Sequence, residues 1–369
     1  MKKVWKVIGA GALGLLGFDL VYRWMNRYDA KDAHEEDLNT EQALLDLHWI
    51  SEKDYPQQMT EKVLPYLEKH VLRRDYLLIQ NDRLAYVHYA PKRVKQTVVI
   101  THGFNEFKER YLELIYYFLQ SGIEVFVYDL HGHGESRKDL SNSLINENDY
   151  QVYLDDLHQF MHQVVLKERA QEVPLVLFGH SMGGAIVTKY LTDYPQMATG
   201  LILNAPMFSV IIEKVPLSLT HAFTLGADVI GKDQSYVYPM TAYDPDLHYD
   251  FTMKSGANIR EKYYQHTKLH TYQTPTWGGS YRWLRQSIEL SHAVSNRQEL
   301  RTLNLPVLLW RAGNDHLVDE KGIQQATNYL PQVRTICVPE GRHNLFLESD
   351  RYLYPYVSET IRFIQNLTL

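Results

Sequence analysis

Cysteine is almost absent. The single Cys337 excludes an internal disulfide framework. Its place in the apolar run Val333-Arg-Thr-Ile-Cys-Val338 reads as a buried strand position, not a reactive thiol. Positive charge is not in excess: 38 Lys and Arg stand against 44 Asp and Glu, a formal net charge of -6. No general affinity for nucleic acid is implied. No GxxxxGK[ST] phosphate loop occurs, and Gly278-Gly279 does not replace one. Internal repeats and low-complexity tracts are missing too. No apolar run reaches membrane-spanning length. The longest, Val7 to Tyr22, has 16 residues and is broken by Asp19. As a helix it would span roughly 24 Å, short of a hydrocarbon core of roughly 30 Å.

What is present suits a folded enzyme. The 369 residues are 45% hydrophobic and 22% charged, enough for one large α/β domain with insertions or for two domains. The chain carries 27 Tyr and 6 Trp. Their apolar bodies and polar tips serve in cores and also on lipid-facing or ligand-lining surfaces.

Residues 1–28 read as an apolar membrane anchor or signal segment. The start Met1-Lys-Lys-Val-Trp-Lys6 is basic, and Arg23 and Arg27 follow the apolar run. The length fits an export signal, but no A-x-A cleavage site follows, which favours an uncleaved anchor. An ordinary packed helix is the competing reading. Positive charge on both sides leaves orientation open. Residues 29–72 read as an acidic, exposed linker with short helices around Glu41–Ile50 and Thr60–Lys69, a solvated charged face.

Beyond residue 73, strand and helix patterns alternate. Strands are expected at Asp75–Gln80, Leu84–Tyr89, Gln96–Thr101, Glu124–Tyr128, Leu175–Phe178, Gly200–Asn204, Pro306–Trp310 and Val333–Val338. Helices are expected at Glu106–Gln120, Tyr150–Glu168, Glu320–Tyr329 and Tyr352–Asn366, and behind the elbow described next. This predicts a mainly parallel sheet with helices on both faces and an antiparallel pair at one edge. Residues 206–286 break the rhythm and are rich in Tyr, His, Met and Pro. They read as a cap over a pocket, inserted between catalytic segments 73–205 and 287–369, since structureless loops this long are uncommon.

The chemistry centres on Gly179-His180-Ser181-Met182-Gly183-Gly184, a G-x-S-x-G pattern between an apolar run and a helix-forming stretch. Strand, tight turn and helix form the context of a nucleophile elbow. A Cβ at Gly179 or Gly183 would clash there. A serine hydroxyl needs a base, and the base a carboxylate that fixes its tautomer. In this arrangement serine, acid and histidine follow in that chain order. Asp315 lies in the loop after Pro306–Trp310, with Asp319 as its rival on spacing. His343 lies in the loop after Val333–Val338. The oxyanion needs two N–H donors, which we assign to Met182 and to Phe104 in the loop Thr101-His102-Gly103-Phe104. His102 reads as a structural hydrogen-bonding residue and His180 as a packed elbow residue. His131 and His133 suggest a metal pair, but no third clustered ligand accompanies them. The loop Asp129–Ser136 reads instead as a glycine turn flooring the site.

With these residues in place the chain resembles the monoacylglycerol lipase and lysophospholipase L2 group of α/β-hydrolases, related to the serine aminopeptidase S33-like hydrolases. The matching residues are His102-Gly103 with Glu106 and Arg110-Tyr111, Asp129 through Ser136, Gly179 through Gly184, Asn204-Ala205-Pro206, Asp315 and His343. Tyr281–Ser287 is similar to the end of the lysophospholipase cap. The likeness covers roughly residues 75 to 366, so anchoring is not inherited from it. It implies hydrolysis of single-chain glycerolipids through an acyl-enzyme, with no metal and no organic cofactor. The expected partner is a lipid or small ester. The expected location is at a membrane through the amino terminus, or exported. A peptidase or small-molecule carboxylesterase on the same triad is the alternative, and an acidic patch suited to a free amine would favour it. A binding protein that kept the fold without catalysis would not need all three side chains and both glycine turns.

Overall fold

The central strands of the nine-stranded sheet are buried throughout and mostly apolar at consecutive positions, so both faces demand cover. The computed structural model describes residues 35–210, 217–244, 254–272 and 274–369. The amino-terminal segment 1–28 and residues 29–34 lie outside the described residues, as do parts of the 206–286 excursion. The strands are β1 (Glu35–Asp37), β2 (Val71–Ile79), β3 (Asp82–Tyr89), β4 (Gln96–Thr101), β5 (Ile123–Tyr128), β6 (Leu144–Ile145), β7 (Leu175–His180), β8 (Gly200–Asn204), β9 (Gly278–Gly279), β10 (Val307–Ala312) and β11 (Val333–Val338). The main sheet runs β1-β11-β10-β8-β7-β4-β5-β3-β2, and β6 and β9 form a separate pair. All pairings are parallel except β2 with β3 and β3 with β5. The antiparallel hairpin therefore sits at one edge, as the alternation pattern predicts.

The helices are α1 (55–68), α2 (Leu112–Gln120), α3 (151–168), α4 (Met182–Asp193), α5 (Leu217–Val229), α6 (Asn258–Thr271), α7 (Tyr281–Val294), α8 (Arg297–Leu300), α9 (Glu320–Thr327) and α10 (Asp350–Gln365). Alternate residues of each strand serve two different cores. Val99, Leu177, Leu203 and Leu309 pack with α3, α4, α7 and α9. Val98, Phe178, Ile202 and Leu308 pack with α1, α2 and α10. This period of two inside an apolar run marks a sheet covered on both sides.

Two expectations for the amino-terminal region need correction. Residues 41–50 form no helix. Three of their backbone N–H groups are taken by distant side chains instead: Leu45 N–H donates to the Ser358 hydroxyl (3.2 Å), His48 N–H to Gln120 Oε1 (2.8 Å) and Ile50 N–H to the Tyr117 hydroxyl (3.0 Å). Tertiary partners have displaced the local helical bonds. Nor is the acidic stretch a mere solvated linker. Glu35–Asp37 is the edge strand β1, parallel to β11. Its acids, although exposed, meet cations, with Glu35 on Arg311 (2.6 Å) and Glu36 on Arg334 (2.5 Å). Helix α1 begins earlier than the pattern suggests, and Tyr55, Met59, Val63 and Leu67, each four apart, bury one stripe in the core.

The excursion at 206–286 holds helices of its own, α5 and α6, which its Tyr-, His- and Pro-rich composition conceals. The last helix, α7, crosses the expected boundary at 286 and runs to Val294. Ser280 caps it by accepting the Trp283 N–H (3.0 Å). Helix α7 packs on both α5 and α4, the helix behind the elbow. Helix α6 is fixed to the body by Arg260, which is fully buried. Its guanidinium pairs with Glu113 (3.0 Å) and Asp350 (2.7 Å) and donates to the carbonyls of Ile50 and Glu348.

Candidate active site

Strand β7 ends at His180 and α4 begins at Met182, so the whole reversal falls on Ser181. Its backbone sits at φ 52 and ψ -120, a region that costs a non-glycine residue of order 1–3 kcal/mol. The neighbours leave the chain no other path. A Cβ on Gly179 would lie 2.6 Å from the Gly183 carbonyl oxygen, and one on Gly183 would lie 2.5 Å from the His102 carbonyl oxygen. The turn is stapled by its own backbone: Ser181 N–H donates to the Asn204 carbonyl (3.0 Å), and its carbonyl accepts from Gly184 (2.9 Å) and Met207 (2.9 Å).

The sheet order places β8, β10 and β11 in sequence beside β7, all parallel. The loops that follow β10 and β11 therefore emerge at the same edge as Ser181. They carry Asp315 and His343. The imidazole Nδ1 lies 2.7 Å from Asp315 Oδ2. The other carboxylate oxygen accepts from the N–H groups of Leu317 (2.8 Å) and Val318 (3.3 Å). Burial works to raise this carboxyl, but His343 and the two N–H donors outweigh it and hold it below the ordinary value. Asp319, the rival, turns away and caps α9 by accepting from Lys321 N–H (3.0 Å). The His343 ring packs on the elbow, 4.7 Å between centroids from His180. Ser181 Oγ and His343 Nε2 bond to no described residue.

The oxyanion donors expected from the sequence are Met182, next after the serine, and Phe104, on the loop after β4. Met182 N–H is the first of α4, where helix geometry leaves donors unpaired. Neither its N–H nor that of Phe104 has an acceptor among the described residues. The turn that carries Phe104 comes close to the nucleophile, since a Cβ on Gly103 would stand 3.0 Å from Ser181 Cβ.

The other histidines have structural partners. His102 Nε2 accepts from Leu130 N–H (2.9 Å), while its Nδ1–H donates to the Gly103 carbonyl (2.8 Å). Burial lowers its pKa. His180 is pushed down to about 3 by burial and stays neutral. His131 lies 3.0 Å from Asp156, and His133 Nδ1–H donates to the His131 carbonyl (2.8 Å). Among the described residues no three His, Cys, Asp or Glu side chains group to hold a metal. The Asp129–Ser136 loop folds on the Asp129 carboxylate, which accepts from Lys108 N–H (2.7 Å), Lys108 Nζ (2.9 Å) and Glu135 N–H (2.8 Å). Beside it Glu106 pairs with Arg110 (3.0 Å), and Arg110 with Glu261 (2.6 Å). A separate cavity of about 520 Å³ opens between α1, β3 and α6, lined by Leu64, Val87 and Tyr263. None of the residues around Ser181 borders it.

A family described as serine aminopeptidase, S33, matches residues 92–350, about two thirds of the chain. The chain belongs to this family. It is thus a serine hydrolase. Among its relatives, a probable lysophospholipase L2 of Haemophilus influenzae is 23% identical over 306 residues, covering 82% of this chain and 94% of that protein. A monoglyceride lipase of Rattus norvegicus is 27% identical over 258 residues, covering 68% and 76%. A solved structure of a soluble variant of monoglyceride lipase from Saccharomyces cerevisiae superimposes with a TM-score of 0.64 at 19% identity, over 80% of this chain and 95% of that one. The last comparison speaks for the α/β-hydrolase fold alone.

Asp315 and His343, which the sequence singled out, pair at the sheet edge to which β7 delivers Ser181. Sequence reasoning missed the residues that support them. Lys268, Asn105 and Trp277 gave no local signal, because their roles arise only where the excursion folds back on the β4 loop.

Proposed function

We propose that the protein hydrolyses the carboxylic ester of monoacyl glycerolipids, monoacylglycerol or lysophospholipid, through an acyl-enzyme on Ser181. The observation that carries this reading is the 2.7 Å Asp315–His343 pair at the edge that presents the strained Ser181. With Nδ1–H donated to Asp315, His343 offers a lone pair at Nε2. Nε2 takes the hydroxyl proton as Ser181 Oγ attacks the ester carbonyl. The N–H groups of Met182 and Phe104 stabilise the resulting oxyanion. His343 then passes the proton to the leaving glycerol oxygen, and the ester C–O bond breaks. Water, deprotonated by the same nitrogen, frees the fatty acid.

One further observation supports a lipid substrate. Phe223 and Val229 of α5, Ile230 just after it, and Tyr238 and Met240 farther along are exposed, apolar side chains of the kind that meet a lipid or protein surface. The apolar segment Val7–Tyr22 is proposed to hold the enzyme at its lipid surface, and deletion of residues 1–28 is expected to release it from the membrane fraction while activity on soluble esters persists.

The test is a panel of monoacyl lipids and short p-nitrophenyl esters, run on the wild type beside Ser181→Ala. Fatty acid release is expected, and the substitution should reduce turnover by about 10³-fold or more. Failure to release fatty acid from any of them, or full activity without Ser181, would overturn the reading.

A further inference from the structure

The oxyanion turn is held from outside its own strand. Gly103 to Glu106 form a tight turn closed by Glu106 N–H on the Gly103 carbonyl (3.3 Å). Phe104 and Asn105 occupy its centre. Asn105 has φ 60, an uncommon conformation for a residue with a side chain and one that Asn tolerates. The bonds within this loop hold Gly103, whose N–H donates to Glu106 Oε2 (2.9 Å) and whose carbonyl accepts from His102 (2.8 Å); the central pair, Phe104 and Asn105, is gripped from elsewhere.

The grip comes from the excursion. Lys268, on α6, is 3% exposed. Its Nζ donates to the Asn105 carbonyl (2.8 Å) and to Asn105 Oδ1 (2.7 Å). Asn105 Nδ2 donates in turn to the Trp277 carbonyl (2.8 Å). The Phe104 ring stacks on Trp283 at 3.7 Å between centroids. Lys268 makes no ion pair with a carboxylate among the described residues. A buried amine without a counter-charge is costly, and here burial, with Lys254 and Arg110, disfavours its charged form. A methionine would fill the same volume without that cost. What the amine adds is the two bonds to Asn105 and a place over the Trp277 ring, 6.0 Å from its centroid.

We propose that Lys268 is a positioning residue for the oxyanion hole: its ε-amine fixes the Gly103–Glu106 turn so that the Phe104 N–H faces the carbonyl attacked by Ser181. This rests on the reading above that Phe104 N–H binds the oxyanion. Catalysis would then depend on the seating of α6, a helix more than 150 residues beyond the loop it steadies.

The experiment compares the full chain with Lys268→Met, Lys268→Arg and Asn105→Gly. Removing an oxyanion donor outright costs about 10²–10³ in kcat, so a donor left in place but loosely aimed should cost about 10- to 100-fold. For Lys268→Met we expect that loss in kcat with KM changed by less than about threefold, the mark of an interaction made only in the transition state. Affinity for a long-chain alkyl trifluoromethyl ketone, whose adduct with Ser181 places an oxyanion in the hole, should fall by the same factor. Affinity for the fatty acid product should not. Lys268→Arg should recover part of the loss. Asn105→Gly keeps the positive φ but removes the side-chain bonds, and should show the same split at about tenfold. It serves where the lysine variant folds poorly. Unchanged kcat and ketone affinity in either variant overturns the proposal. So does a fall in fatty acid affinity that matches the fall in kcat, since Lys268 would then be shaping the acyl cavity. Ser181→Ala that still turns over defeats the enzyme reading itself, whereas a silent Lys268→Met beside a dead Ser181→Ala defeats this inference alone.

Discussion

Asp315 and Asp319 stand four residues apart in one loop, and spacing alone does not separate them. Geometry does: Asp315 faces His343, and Asp319 caps α9. Asp315→Asn should keep the fold and lower kcat by about 10⁴-fold, because the imidazole would lose the partner that fixes its tautomer. Asp319→Ala should leave kcat alone and cost about 1 kcal/mol of stability as a lost helix cap. Steady-state kinetics beside urea unfolding of the two variants decides the matter, and reversed effects would exchange their roles. The histidines around the site make a second expectation at this scale. Burial lowers the pKa of His102, His133 and His180, the last to about 3. Once unfolded they regain an ordinary value of about 6.5 and take up protons that the fold refuses. Their sign is therefore clear: stability is complete above about pH 6.5 and falls below it, by up to about 1.4 kcal/mol per pH unit for each. His131, in which Asp156 and Glu147 outweigh burial and raise the pKa, offsets part of this. Asp315, held low, adds its own loss only as pH falls below about 4. Equal urea midpoints at pH 7.5 and 5.5 would contradict this account.

The elbow was legible because its requirements are local. A strand, a reversal and a helix must meet within four residues, and only glycine fits where Gly179 meets the Gly183 carbonyl. Gly179→Ala should therefore lower stability by about 3 kcal/mol through overpacking against backbone. Fluorophosphonate labelling of Ser181 should be lost with it. A thermal midpoint and labelling rate like those of the wild type would show the turn to be looser than its geometry. Strands such as β4 and β7 were legible for a related reason, since an unbroken apolar run has little choice but a covered sheet. Helix α6 was not. The polar sequence Asn258–Thr271 hides its buried members, Arg260, Glu261 and Lys268, whose burial depends on partners far along the chain. Residues 41–50 failed for the mirror-image reason: a helical composition yielded to Gln120 and Tyr117, which supply the backbone with other partners.

For the molecule as a whole, the excursion and the body are joined by buried charge. Arg260 ties α6 to Glu113, to Asp350 and to the carbonyls of Ile50 and Glu348. Arg260→Met would leave Glu113, itself 1% exposed, without its cation. Breaking one side of such a pair costs about 3–5 kcal/mol. The fall should appear in the urea midpoint, together with greater protease sensitivity near α6. A variant as stable as the wild type would mean that α6 is held by its apolar contacts alone.

By itself the sequence determined the parallel sheet, the elbow at Ser181 and the chain order that led to His343, because these follow from periodicity, glycine sterics and the chemistry of acyl transfer. The tertiary structure alone decided that Asp315 and not Asp319 meets the imidazole, that Glu35–Asp37 closes the sheet edge, and that Lys268 reaches the oxyanion turn. Those outcomes depend on groups 28 to 298 residues apart along the chain, and no local pattern records which of several available partners a polar side chain will meet.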